Sequence, residues 1–174
     1  MPPETDNLKL QELFEADQKD RQRIYDSVEA VKDLQHRDAM RRRLVSEMID
    51  AAQVNTPNDL YHASVIFQHG REPRDFLTAH RLAVLAAIKE HKKARWLCAA
   101  TLDRFLMSVG LPQFYGTQFE HNPEENRYQL RLPIDDRGIL SFEKMILNVP
   151  GVAERLNQLN GRIGVRKEDR KQSS

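Results

Sequence analysis

"ARWLCAATLDRFLMSVGLPQFYGTQF", residues 94–119, is the stretch that decides the fold of this chain. Read at 3.6 residues per turn, Ala94 to Val109 is apolar on nearly every side: Leu97, Leu102, Phe105 and Leu106 cover the faces that Trp96, Ala99, Ala100 and Met107 leave open. A helix of that kind belongs in the middle of a helical domain, and Gly110 and Pro112 end it. On a helical wheel Asp103 lies within about 60° of Trp96 and Met107, so it is expected to point inward. Arg104, about 100° further round, has little open surface to reach.

Working outward from that helix, Thr56-Pro57 reads as an N-cap followed by proline at the first helical position, with a helix from Asn58 to His69 and Gly70 as its stop. Pro73 opens the next, Arg74 to about His91, with Phe76, His80, Val84, Ala87 and Ile88 on one face. Three successive helices with short connections favour antiparallel neighbours. Upstream, a helix is expected over Arg37 to Ala52, with Met40, Leu44, Val45, Met48 and Ile49 on one face. The first fifty residues otherwise read as highly charged helix at the edge of the domain, and Arg41-Arg42-Arg43 as a solvated surface, with a phosphate-contacting patch as the alternative.

Downstream, Tyr115 to Glu120 and Arg127 to Pro133 are β-prone runs around the turn-rich HNPEEN, which predicts a two-stranded hairpin. Ser141 is expected to cap a last helix that Pro150-Gly151 interrupts before Val152 to Leu159 resumes it. From Arg162 onward there is too little apolar surface to offset the entropy of ordering. The expected fold is therefore mainly α: a single-domain antiparallel bundle of about six helices over 1–161, a small β-hairpin near 115–133, and a disordered tail at 162–174.

Composition narrows the function. The 174 residues carry 27 basic and 26 acidic side chains, a net charge of +1, which gives no reason to expect a nucleic-acid partner. No segment approaches the roughly 18 uninterrupted apolar residues of a membrane span, and MPPETDNLKLQELFEADQKDR lacks the basic and apolar regions of a signal peptide. A cytoplasmic protein is the expectation. Cys98, alone in an apolar run, reads as a buried inert thiol. No metal-ligand spacing or phosphate-binding glycine loop is present, so neither a metal nor a cofactor is expected.

Polar groups inside an apolar helix need partners, and adjacent helical residues do not face each other, so Asp103 and Arg104 require different ones. Gln68 and His69 lie in the last turn before Gly70, and Gln113, Tyr115, Thr117 and Gln118 crowd the segment after the central helix. Two readings stay open for this set: a ligand site, or ion pairs and hydrogen bonds that fix helix register. His80, on the apolar side of its helix, reads as a satisfied core residue, and Asp17 to Arg21 reads by itself as a charged helix face.

"DQKDR" at 17–21, "FQHG" at 67–70, "LDRFLMSVGLPQFYGTQF" at 102–119 and "NVPGVAERLNQLN" at 148–160 together resemble an uncharacterised bacterial domain family. Its members share DQ-x-x-R, QH-G/A, DR and G-x-PQ-x-YGTQ elements in that order. The resemblance implies a mainly helical fold and gathers Asp17, Gln18, Arg21, Gln68, His69, Asp103, Arg104, Gln113, Tyr115, Gly116, Thr117 and Gln118 into one constellation. It implies no activity. Gly151, where the family has bulkier residues, departs from the pattern.

Two kinds of function follow as expectations. In the first, a small-molecule site supports binding, hydrolysis or proton transfer: His69 acts as acid or base oriented by Asp103, and Arg104 holds an anionic substrate group. Gln68, Gln113, Tyr115, Thr117, Gln118, Asp17, Gln18 and Arg21 complete the binding set. In the second, the alanine-rich helices form a peptide-interaction module of tetratricopeptide or Sel1 character. A purely structural domain, with the polar residues as internal staples, is the third.

Overall fold

The computed structural model describes residues 5–161. It is mainly helical, with a small two-stranded antiparallel hairpin in its C-terminal part. The helices are α1 (Leu8–Arg21), α2 (Val28–Asp50), α3 (Pro57–Phe67), α4 (Pro73–Ile88), α5 (Ala94–Ser108), the one-turn α6 (Glu143–Ile146) and α7 (152–161). Strands β1 (Phe119–Asn122) and β2 (Arg127–Leu130) pair in the register Phe119 to Leu130 and Asn122 to Arg127. The expected tail at 162–174 lies outside the described residues. No helix among them is long and apolar enough to cross a membrane.

Local chemistry fixes the boundaries. Thr56 accepts from the Asp59 backbone N–H at 3.0 Å while the Asp59 carboxylate accepts from the Thr56 N–H at 3.2 Å, a reciprocal cap that Pro57 prolongs into α3. The same carboxylate, 1% exposed, takes the N–H of Asn7 at 2.8 Å and so ties the start of α1 to the start of α3. At the start of α4 only half of this arrangement is made: the Asp75 carboxylate accepts from the Glu72 N–H at 3.4 Å, and the Glu72 side chain makes no cap bond. At the end of α5 the Leu111 N–H reaches back to the Leu106 carbonyl at 2.9 Å, with Gly110 at φ +79° making the turn.

α4 packs against both α3 and α5, and α1 lies on α3. Small residues make this possible: Ala63, Ala79, Ala83, Ala86, Ala94 and Ala99 are fully buried, so backbones approach closely around Leu10, Val45, Ile66 and Leu97. The Ser64 hydroxyl, also fully buried, donates to the Ala79 carbonyl at 2.7 Å and pins α3 to α4.

Several expected details are corrected. The buried face of α4 is Ala79, Leu82, Ala83 and Ala86, and Ile88 is 72% exposed, because a helix clasped between two others turns its small residues to them. α2 is continuous from Val28, with the break falling at 22–27 instead of before Arg37. The hairpin begins at Phe119, since residues 115–118 are occupied in binding α5. Ser141 caps nothing; α6 starts after Phe142 without a side-chain cap.

Candidate functional site

The segment Gln113 to Gln118 is wrapped around two buried side chains. Asp103, fully buried on α5, accepts from the backbone N–H of Phe114 at 2.7 Å, Tyr115 at 3.0 Å and Thr117 at 3.0 Å, and from the Thr117 hydroxyl at 2.7 Å. Both carboxylate oxygens are thus engaged by donors from one loop. Gln113, equally buried, accepts from the Gln118 N–H at 2.9 Å and donates to the carbonyls of Gln118 and Arg131, so it ties the loop to the strand β2 side. Gly116 sits at φ +74°, where a Cβ would lie 2.9 Å from Cγ2 of Val152. That position needs glycine both for its backbone and for the approach of α7.

Arg104 joins this loop to the α3–α4 turn. Its Nε donates to Oε1 of Gln118 at 3.2 Å and its Nη1 to the Gln68 carbonyl at 2.7 Å. Gln118 in turn donates to the Ala100 carbonyl at 2.9 Å. The turn itself is tight: a Cβ on Gly70 would lie 2.2 Å from Cβ of Asp75, whose carboxylate folds back to accept the Arg71 N–H at 3.1 Å.

The carboxylate that meets His69 is that of Asp17, with Nδ1 and Oδ1 2.9 Å apart. This corrects the expected pairing of His69 with Asp103, whose oxygens the loop has already taken. Asp17 belongs to a network between α1 and α2. Arg21 donates to Asp17 at 3.1 Å and to Asp38 at 2.6 Å, Arg41 donates to Asp38 at 2.9 Å and to Asp20, and Arg37 donates to Asp20 at 3.0 Å and to the Tyr25 hydroxyl. Gln18 supports it by donating to Asp17 at 2.9 Å. Burial alone would raise the pKa of Asp17, but the hydrogen bond and charge of His69 and the charge of Arg21 reverse that and hold it low. Burial would raise Asp20 in the same way, and Arg37 and Arg41 instead hold it well below the usual carboxylate range.

Two plain surface readings are therefore overturned. Asp17 and Asp20 are 1% and 4% exposed, and Arg41 is 7% exposed. The arginine run divides three ways: Arg41 enters the network, Arg42 holds the His69 carbonyl at 3.2 Å and Asp75 at 3.4 Å, and Arg43 stays in solvent beside Glu47.

The expected set is thus linked in sequence, from Asp17 through His69 and Gln68 to Arg104, Gln118 and Gln113. The side chain of Tyr115 leaves this set, although its backbone N–H is held by Asp103. Its buried ring sends the hydroxyl to Glu143 at 2.8 Å, and burial and that carboxylate push the phenol pKa up.

Next to this frame lies a cleft of about 470 Å³ lined by Arg71, Arg104 and Arg131 with Phe76, Met107 and Phe119; Ser108 and Gln118 complete it. No carboxylate among the described residues lines it. Arg104 has no acidic partner among the described residues, and burial, then the cations of Arg21 and Arg131, lower its pKa. A second cleft of about 620 Å³ differs in kind. It mixes Asp6 and Glu90 with Lys92 and Lys93, and its rings are paired off, Phe14 on His62 at 4.1 Å and Tyr61 on His91 at 4.2 Å. None of the cleft residues Arg71, Phe76, Phe119 and Arg131 was singled out as a site residue from the sequence, because they form no pattern in the chain; the one signal there was that Arg71 directly follows the QHG turn.

No family model matches the chain, and neither a curated protein nor a solved structure matches it.

Proposed function

We propose that this protein binds a small anionic molecule in the cleft between α4, α5 and the hairpin, with Arg104 as the principal anion-holding residue. The observation that carries this reading is a largely enclosed guanidinium with no carboxylate partner among the described residues, in a cleft whose other charged groups are also cationic. A desolvated arginine ordinarily recruits an acid from its own chain, and leaving it unpaired costs stability. Here the protein sets two more arginines beside it. A bound anion resolves the imbalance.

Gln118, Gln113, Thr117 and Asp103 serve this site by holding the loop and Arg104 in place; Gln68 does so through its carbonyl. Asp17, Gln18, Arg21 and His69 form the buttress beneath the turn that carries Gln68. His69 does not line the cleft, so the proposal is one of binding and assigns no reaction. The cleft volume falls within the roughly 300–1,000 Å³ of small-molecule sites.

The test is a backbone-amide NMR titration of the full chain with inorganic phosphate at low ionic strength. Saturable shifts at Ser108, Gln118 and Phe119, with His62 and Lys92 unmoved, are the expected result. Shifts spread evenly over lysines and arginines, or none that saturate, overturn it.

A further inference from the structure

We infer that the ligand of the arginine cleft is a phosphate monoester carrying an apolar, ring-sized group, rather than a bare inorganic anion or a simple carboxylate; this rests on the anion-binding reading above. The lining falls into two chemical parts. Arg71, Arg104 and Arg131 supply three cations, while Phe76, Met107 and Phe119 supply an apolar wall.

The cationic part asks for more than one negative charge. Arg104 uses two of its five N–H donors on Gln118 and Gln68, and its Nη2 donates to nothing among the described residues. Arg131 is exposed, and its guanidinium has no partner among the described residues. Arg71 spends one donor on Gln35, at 2.9 Å. A carboxylate brings a single charge and two oxygens to this set. A phosphate monoester brings about −1.5 to −2 charges and three strong acceptor oxygens, and guanidinium forks match it bidentately.

The apolar part asks for a body. Other polar groups of the lining are already spent: Ser108 donates its hydroxyl to the Phe105 carbonyl at 2.6 Å, and the Gln118 amide is engaged at both its oxygen and its nitrogen. Two aromatic rings and a thioether have no use for a bare ion, and they recover contact area only from an apolar or aromatic group. At about 470 Å³ the cleft also exceeds what inorganic phosphate fills.

Calorimetric titration of the full chain with inorganic phosphate, phenyl phosphate and benzoate, in one buffer at low ionic strength, tests this. Phenyl phosphate should bind at least about tenfold more tightly than either phosphate or benzoate, and phosphate should compete with it. Equal affinity for phosphate and phenyl phosphate overturns the inference and leaves the anion site standing. Equal affinity for benzoate and phenyl phosphate removes the phosphate preference and overturns it likewise. If none of the three binds, the anion-binding reading itself falls.

Discussion

Asp103 on α5 and Thr117 in the following loop meet twice, at 3.0 Å through the backbone N–H and 2.7 Å through the hydroxyl. With the N–H groups of Phe114 and Tyr115, that makes four donors on one fully buried carboxylate. In Asp103→Asn an amide NH2 would face those donors, leaving donor against donor in the interior. The urea midpoint should fall by the equivalent of about 3 kcal/mol with an unchanged slope. A neutral or stabilising substitution would show that the loop does not depend on the charge.

Two glycines of similar φ separate conformational from packing cost. A methyl added at Gly110, φ +79°, would meet nothing within 4 Å among the described residues, whereas one at Gly116, φ +74°, would face Val152 at 2.9 Å and Ile134 at 3.2 Å. Gly110→Ala should cost about 1 kcal/mol for its backbone alone. Gly116→Ala should cost distinctly more, and equal thermal shifts in the two variants would mean that α7 does not pack on the loop.

Neighbouring arginines should behave in opposite ways. Arg41→Ala leaves Asp20 and Asp38 with a lost partner inside the α1–α2 network, and should destabilise by about 3 kcal/mol. Arg43, whose ion pair with Glu47 is 3.7 Å long and solvated, should change stability by no more than about 0.5 kcal/mol when replaced by alanine. Comparable midpoints would return the whole run to the surface.

The pH dependence has a definite sign. Burial lowers the pKa values of His62, His80 and His91 below their usual 6.5, so each binds its proton more readily in the unfolded chain. Stability from these groups is fully present above pH 6.5 and is lost as the pH falls below it. The lowered Asp17 and Asp20 add a further loss below their ordinary 3.8. Urea midpoints from about pH 8 to about pH 5 should therefore decline on the acid side, and a flat or rising profile would contradict the burial of the three imidazoles.

What the chain disclosed in advance follows physical lines. The inward aim of Asp103 was legible because helix geometry alone sets it, and the α3 start because Thr56 and Pro57 are a local signal; the reciprocal part played by Asp59 came only with the structure. The partners of Asp103 were not, since loop N–H directions depend on φ and ψ that no residue pattern encodes. α1 conceals its role more fully: Asp17 and Asp20 look like surface charge until Asp38 and Arg41 are brought across from α2. The arginine cleft was the least visible, because Arg71, Arg104 and Arg131 are far apart in sequence and each alone is an ordinary charged residue.

The central claim, that the cleft holds an anion, is tested most directly by calorimetric titration of inorganic pyrophosphate into the parent protein and Arg131→Ala. Arg131 is exposed and its side chain supports nothing among the described residues, so its loss should leave the urea midpoint unchanged. Saturable one-site binding is expected, weakened at least about fivefold by the substitution and weakened by added salt in both proteins. No binding to the parent, or equal affinity in the two proteins, would contradict the claim.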